Sequence, residues 1–135
     1  MEARAVAERY YEALRRNDLD GVISTLDPQC RADVPGATLD GPEQVRSWMG
    51  SFFDAFPDIN HSTSDLEVQE QMVSANVRVT GTHSEPFITP QGTIPPTGRT
   101  IDIQARNEMD VRDDSIGALR ITFDAGDFMR QLGLG

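Results

Sequence analysis

Lysine is absent from this chain, and all twelve basic residues are arginine. Against them stand 22 acidic residues, for a formal charge of −10 spread along the whole length rather than gathered in a tail. A surface of that sign repels phosphate backbones, and neither a basic stripe nor an aromatic-rich RNA motif offsets it, so nucleic acid is excluded as an expected partner. Arginine in place of lysine fits codon bias in a GC-rich genome. Cysteine is almost as scarce: Cys30 stands alone, cannot close an intrachain disulfide, and suits a reducing cytoplasm. No apolar run approaches the roughly 18 residues of a membrane span. Glu2, Arg4, Glu8 and Arg9 interrupt the stretch from Met1 to Tyr11, which leaves no apolar signal-peptide centre. Two histidines without close carboxylate spacing do not make a metal ligand set. No phosphate loop, dinucleotide fingerprint or Ser-His-Asp spacing is present, so no cofactor is expected.

What is present reads as one α+β domain over residues 1–135. The chain is too short to divide into two cores, and 38% of it is hydrophobic, enough for one core. Val6, Tyr10 and Leu14 recur at helical spacing, which predicts an amphipathic helix over residues 2 to 16. Asn17 ends it, and Asp18 can cap a short helix running through Leu26, which Asp27-Pro28 stops. A short strand follows around Cys30 to Val34. Pro42 suits the first turn of a third helix, whose apolar members include Val45, Trp48, Met49, Phe52, Phe53 and Phe56.

The second half changes period. Val73, Ala75, Val77, Val79, Gly81 and His83 share one face of a long strand, and Ile101, Ile103, Ala105, Asn107, Met109 and Val111 share one face of another. Between them lies a loop from Glu85 to Gly98 with four prolines and two glycines. Strands near Ile59 to Glu70 and Ile116 to Asp124 complete an expected antiparallel meander. Such a sheet curls, and the leading helices cover its concave face over a small-molecule pocket. Function should lie with polar residues on apolar strand faces. Asn107, if buried, needs a hydrogen-bond partner, either a ligand or a neighbour. His83 closes an apolar face and could donate a proton or orient a carbonyl, or serve structure alone. Trp48, Phe52 and Met109 are candidates for the pocket wall, and equally for plain core.

Three stretches carry a family resemblance. "RYYEALRRNDLDGVISTLDP" resembles the opening of ketosteroid isomerases and their relatives. "VRVTGTHSEPF" followed by "PPTGRTIDI" resembles the SnoaL-like polyketide cyclases, as does the ending "DDSIGALRITFDAGDFMRQLG". The resemblance covers nearly the whole chain. It implies the cone-shaped nuclear transport factor 2-like fold, a curved antiparallel sheet with N-terminal helices over a central pocket, and a homodimer paired across convex faces. It also implies cofactor-independent, aldol-type ring closure on a hydrophobic polyketide in secondary metabolism.

Within that resemblance, Asp124 matches the aspartate that serves as acid and base, and burial in an apolar cavity would raise its proton affinity. Tyr10 matches a helix tyrosine that donates to the substrate oxygen, and Asn107 matches a second oxyanion donor. The isomerase base lies on the first strand close to Asp33, one residue out of register with it, and alternation sets Asp33 on the face opposite Cys30, Ala32 and Val34. Alternation also puts Arg120 on the face of Asp124, a pairing similar to that of limonene-type epoxide hydrolases. A hydrolase, an isomerase-like enzyme and a non-catalytic accessory subunit of a hydroxylase therefore stand as alternatives. If Asn107 lies in the cone, its strand must turn Asp102, Gln104 and Arg106 to solvent.

Overall fold

A computed structural model describes residues 2–134. The elements, in chain order, are α1 (Ala3–Arg15), α2 (Leu19–Ile23), β1 (Leu26–Val34), β2 (Ala37–Asp40), α3 (Pro42–Ala55), β3 (Asn60–Gln69), β4 (Met72–Thr82), β5 (Phe87–Thr89), β6 (Gly92–Ile94), β7 (Thr100–Arg112), β8 (Ser115–Thr122) and α4 (Ala125–Gln131). Six strands form one sheet in the order β2-β1-β8-β7-β4-β3, and β5 and β6 form a separate hairpin. Mixed α+β architecture with a curved, unclosed sheet is thus the fold.

Local chemistry sets the helix boundaries. In α1 the buried positions Val6, Ala7, Tyr10, Tyr11, Ala13 and Leu14 make one stripe. Asn17 follows in the left-handed region, with φ of 55°, which asparagine tolerates better than most residues. Its side-chain amide donates to the Ile59 carbonyl at 2.8 Å, tying the end of α1 to the start of β3. Asp18 caps α2 by accepting from the Gly21 N–H at 3.0 Å. Gly41, with φ of 86°, precedes Pro42 at the first turn of α3.

The strands differ from the sequence expectation in three places, each with a physical cause. Helix α2 stops at Ile23, because the chain from Leu26 is already drawn into β1. Pro28 is accommodated in β1 because the register shifts between Leu26 and Arg31, where its missing N–H costs no ladder bond. The loop from Glu85 to Gly98 contains the β5–β6 hairpin, pinned by the Thr89 hydroxyl on the Gly92 carbonyl at 2.7 Å. The sheet is also not a pure meander: β1 runs parallel to β8, and every other pairing is antiparallel.

The alternation of β7 separates the two faces of the sheet. Ile101, Ile103, Ala105, Asn107, Met109 and Val111 are buried, while Asp102, Gln104 and Arg106 are exposed. The outer face is polar, and Arg78 makes a two-pronged contact with Asp102 across β4 and β7, at 2.9 and 2.6 Å. Two apolar clusters share the concave side. The larger joins α1, α3 and the sheet, and the smaller gathers Phe56, Phe87, Ile101, Ile103, Phe128 and Leu132. Helix α4 is fastened by Gln131, whose amide accepts from the Asp102 N–H at 2.6 Å and donates to the Asp102 carbonyl at 3.0 Å.

One close approach needs a glycine. A Cβ at Gly81 would sit 3.2 Å from the Phe56 Cβ and 3.4 Å from the Ile59 Cα, where backbone as well as side chain would have to move. Gly81→Ala should therefore cost about 1–2 kcal/mol by overpacking. Urea denaturation at constant m-value will show it as a lower midpoint.

Candidate functional site: an apolar cavity with three polar groups

Between the helices and the concave face lies a cavity of about 70 Å³. Helix α1 contributes Tyr10 and Leu14, and α3 contributes Trp48, Met49, Phe52 and Phe53. The sheet adds His61 from β3, Val77 and Val79 from β4, Ile101, Ile103, Ala105 and Asn107 from β7, and Ile121 from β8. Ile59, Phe123 and Phe128 complete the wall. The inward residues of β7 from Ile101 to Asn107 cover about 20 Å of strand, so this wall is long. No aspartate, glutamate or arginine lines the space among the described residues.

Three side chains make this apolar wall chemically distinct. Tyr10 is fully buried and its hydroxyl has no hydrogen-bond partner. Burial, with the neighbouring Tyr11 adding to it, raises its pKa, so the hydroxyl remains a proton-bearing donor at any ordinary pH. Asn107 is 3% exposed, and the Tyr11 hydroxyl lies beside its side chain. His61 is 8% exposed, and its Nδ1 is buried without a partner. Burial pushes His61 down to about 4, with the Leu14 backbone carbonyl acting in the opposite sense. The ring is therefore a neutral imidazole near pH 7.

Helix α1 brings these groups together. Leu14 stands by His61 and Tyr11 by Asn107, three residues apart and so about 4.5 Å along the helix axis. Buried polar atoms normally find partners, and leaving one unmade costs about 1–3 kcal/mol. Unpartnered atoms on Tyr10 and His61 beside a cavity are the arrangement expected where a ligand supplies the missing partner.

The residues singled out from sequence divide between inside and outside. Tyr10, Trp48, Phe52 and Asn107 line the cavity. Met109 is fully buried in the larger cluster but does not reach the wall. His83 is fully buried outside the cavity, against Phe56 with ring centroids 5.3 Å apart and against Phe87 at 6.4 Å. The Thr97 N–H donates to its Nδ1 at 3.2 Å, and the Thr97 hydroxyl lies 3.0 Å from the same atom. His83 thus fastens the chain after β6 to the end of β4.

Asp124 is the principal correction. Strand β8 ends at Thr122, so Asp124 lies beyond the alternation that would have turned it inward or outward. It is the N-cap of α4, its carboxylate accepts from the Asp127 N–H at 2.9 Å, and its side chain is 71% exposed. An open carboxylate of this kind lacks the apolar surroundings the base assignment required. Its cationic neighbour is Arg130, at 4.0 Å, rather than Arg120. Arg120 stands on the outer face in register with Asp33 of β1 and Glu108 of β7, and Asp33 itself is exposed and accepts from the Thr38 hydroxyl at 3.1 Å.

One polar group of the cavity wall and one buried beside it escaped selection from sequence. His61 is the one buried residue of β3, so no apolar alternation marked the strand's inward face. Tyr11 follows Tyr10 on the helix, and the width of the buried stripe puts both in the core, Tyr11 behind the wall beside Asn107.

This architecture agrees with the comparisons to known proteins. The model of the SnoaL-like polyketide cyclase family matches residues 4–132, and the chain belongs to that family. Among solved structures it resembles a proposed SnoaL-like polyketide cyclase from Jannaschia sp. CCS1, with a TM-score of 0.84 and 19% identity over 98% of this chain and 92% of that one. AclR from Streptomyces galilaeus, a proposed hydroxylase, has a TM-score of 0.83 and 21% identity over 97% and 95%. TerC, crystallised with polyporic acid, has a TM-score of 0.75 and 15% identity over 97% and 98%. At these identities the structures establish the shared nuclear transport factor 2-like fold. No curated protein matches in sequence.

Two stability measurements probe the cavity. Tyr10→Phe removes a buried hydroxyl without a partner, so it should stabilise the protein by about 1 kcal/mol, read as a rise in Tm. The pH dependence follows from His61. The unfolded chain takes up its proton near 6.5 and the folded chain near 4, so stability is full above 6.5 and falls as pH drops towards 4. The interval caps this loss at about 3 kcal/mol. His83 is shifted in the same direction by burial, so the difference between wild type and His61→Gln isolates the His61 contribution in thermal melts at pH 7.5 and 4.5.

Proposed function

We propose that the protein binds an uncharged, hydrophobic carbonyl compound of the aromatic-polyketide kind and promotes aldol-type ring closure without a cofactor. The observation that carries this is the Tyr10 hydroxyl and Asn107 amide set in a cavity otherwise lined by apolar groups and His61, with no charged residue. Such a wall favours a neutral ligand, because a charged one would be desolvated without a counter-ion. Loss of a proton α to the carbonyl leaves negative charge on the oxygen, and fixed donors aimed at developing charge are worth about 3 kcal/mol each. Tyr10 suits that role because its proton is held tightly. The enolate carbon then attacks a second carbonyl of the same chain and closes the ring.

The polyporic acid with which TerC was co-crystallised is consistent with a ring-bearing ligand on this scaffold. Ligand pockets for drug-sized molecules occupy roughly 300–1,000 Å³, so a polycyclic ligand requires the aromatic wall at Phe52, Phe123 and Phe128 to part. The hydrolase alternative loses its support with Arg120 on the outer face, away from Asp124. The non-catalytic reading, a ligand-binding accessory subunit, is favoured by one fact: no carboxylate among the described residues lines the cavity. A cytoplasmic homodimer remains part of the proposal.

Trp48 is the only tryptophan and lines the cavity, so its fluorescence reports binding. Titration with 2-tetralone, a neutral bicyclic ketone, should quench it. Exchange of the ketone's α-hydrogens with deuterated water reports enolisation. Tyr10→Phe and Asn107→Leu should each slow that exchange about 100-fold, with Tyr10→Phe as stable as wild type or more so. Quenching without any protein-dependent exchange would establish the accessory-subunit reading instead.

A further inference from the structure

We propose that His61 is the proton-transfer residue of this cavity, its neutral imidazole taking the α-proton of the bound ketone and later returning it. The inference rests on the ketone-binding function proposed above. It begins from elimination: ring closure through an enolate needs a base, and no carboxylate among the described residues lines the cavity. Of the lining residues only Tyr10 and His61 titrate, and Tyr10 holds its proton too firmly to become a tyrosinate base. His61 alone offers a basic lone pair.

The surroundings of the ring suit the task. From α1 it meets the Leu14 carbonyl, with Tyr10 one turn earlier. From α3 it meets Phe53, ring centroids 5.7 Å apart, and on β4 its register partner is Val79. No charged side chain among the described residues shares this cavity. A neutral imidazole donates from one nitrogen and accepts at the other. The Leu14 backbone lies beside the ring, and Nδ1 is the buried atom without a partner. Burial opposes formation of the imidazolium in the empty cavity. An enolate formed beside it offsets that cost, because each new charge is then the counter-ion of the other.

The step balances without any added reagent. The α-carbon–hydrogen bond breaks, its proton moves to the ring nitrogen, and its electron pair becomes the enolate. The enolate carbon bonds to the second carbonyl carbon, and the displaced π pair forms an alkoxide. The imidazolium gives its proton to that alkoxide and returns to the neutral ring.

The test uses 2-tetralone with wild type, His61→Gln, His61→Asn and Asp124→Asn, reading Trp48 quenching and α-hydrogen exchange together. Either His61 variant should bind within about threefold of wild type and exchange at least 100-fold more slowly. Asp124→Asn should exchange at the wild-type rate, since its amide can still cap α4. In wild type, exchange should be level from pH 8 to pH 5 and fall below that, a readout that needs no variant. Undiminished exchange in a folded His61 variant, or a rate that rises through pH 9 to 10 as a tyrosinate base requires, would overturn the assignment and leave the ketone-binding function standing. If wild type binds the ketone without exchanging it, both the His61 role and ring closure fail while the binding site survives. Failure to bind overturns all of it.

Discussion

The uninterrupted pairing of β4 with β7 is the constraint from which the rest of the molecule follows. Eleven residue pairs run in register from Met72 and Asp110 to Thr82 and Thr100. A slip of one residue would turn every side chain to the opposite face, placing Asp102, Gln104 and Arg106 beneath α1. With the register held, one face carries cross-strand polar pairs such as Arg78 with Asp102, and the other carries an apolar floor with Asn107 set into it. The helices can then settle only on the apolar side.

That floor was legible in the sequence because strict alternation over a long strand has one interpretation. Asn107 stood out for the same reason, as a polar residue in an inward series. The starts of α2 and α3 were equally plain from Asp18 and from Pro42. The errors cluster where a short stretch answers to a distant partner. Leu26 follows a helical pattern, yet β8 draws it into β1. Asp124 follows the alternation of β8, yet the first N–H groups of α4 claim its carboxylate. Period-two reasoning has no means of knowing that the strand has already ended. His61 was hidden by the opposite problem: in β3 so few side chains are buried that neither face is announced.

A cavity without charged groups shapes what chemistry can occur in it. Carboxylate bases owe their usefulness to burial, but burying one without a partner is expensive, and this protein keeps its 22 acidic residues off the cavity wall. Neutral polar groups cost less to bury and still discriminate. A hydroxyl that cannot lose its proton and an imidazole that resists gaining one make a pair with fixed roles, donor and acceptor, over a wide range of pH. The stability that these unpartnered groups withhold from the folded state is available again when a ligand meets them.

The parallel contact between β1 and β8 carries a consequence for how the molecule is made. Ala32 pairs with Leu119, 87 residues further along. Until the later strand emerges from the ribosome, β1 has only β2 beside it and the sheet's centre is missing. Closing so long a loop costs entropy before any contact rewards it, and topologies rich in such contacts fold slowly. Phe123 and Phe128 come later still, so the wall of the cavity that they form is among the last parts to take shape. The cavity therefore stays open on one side until the segment that follows β8 has emerged and docked.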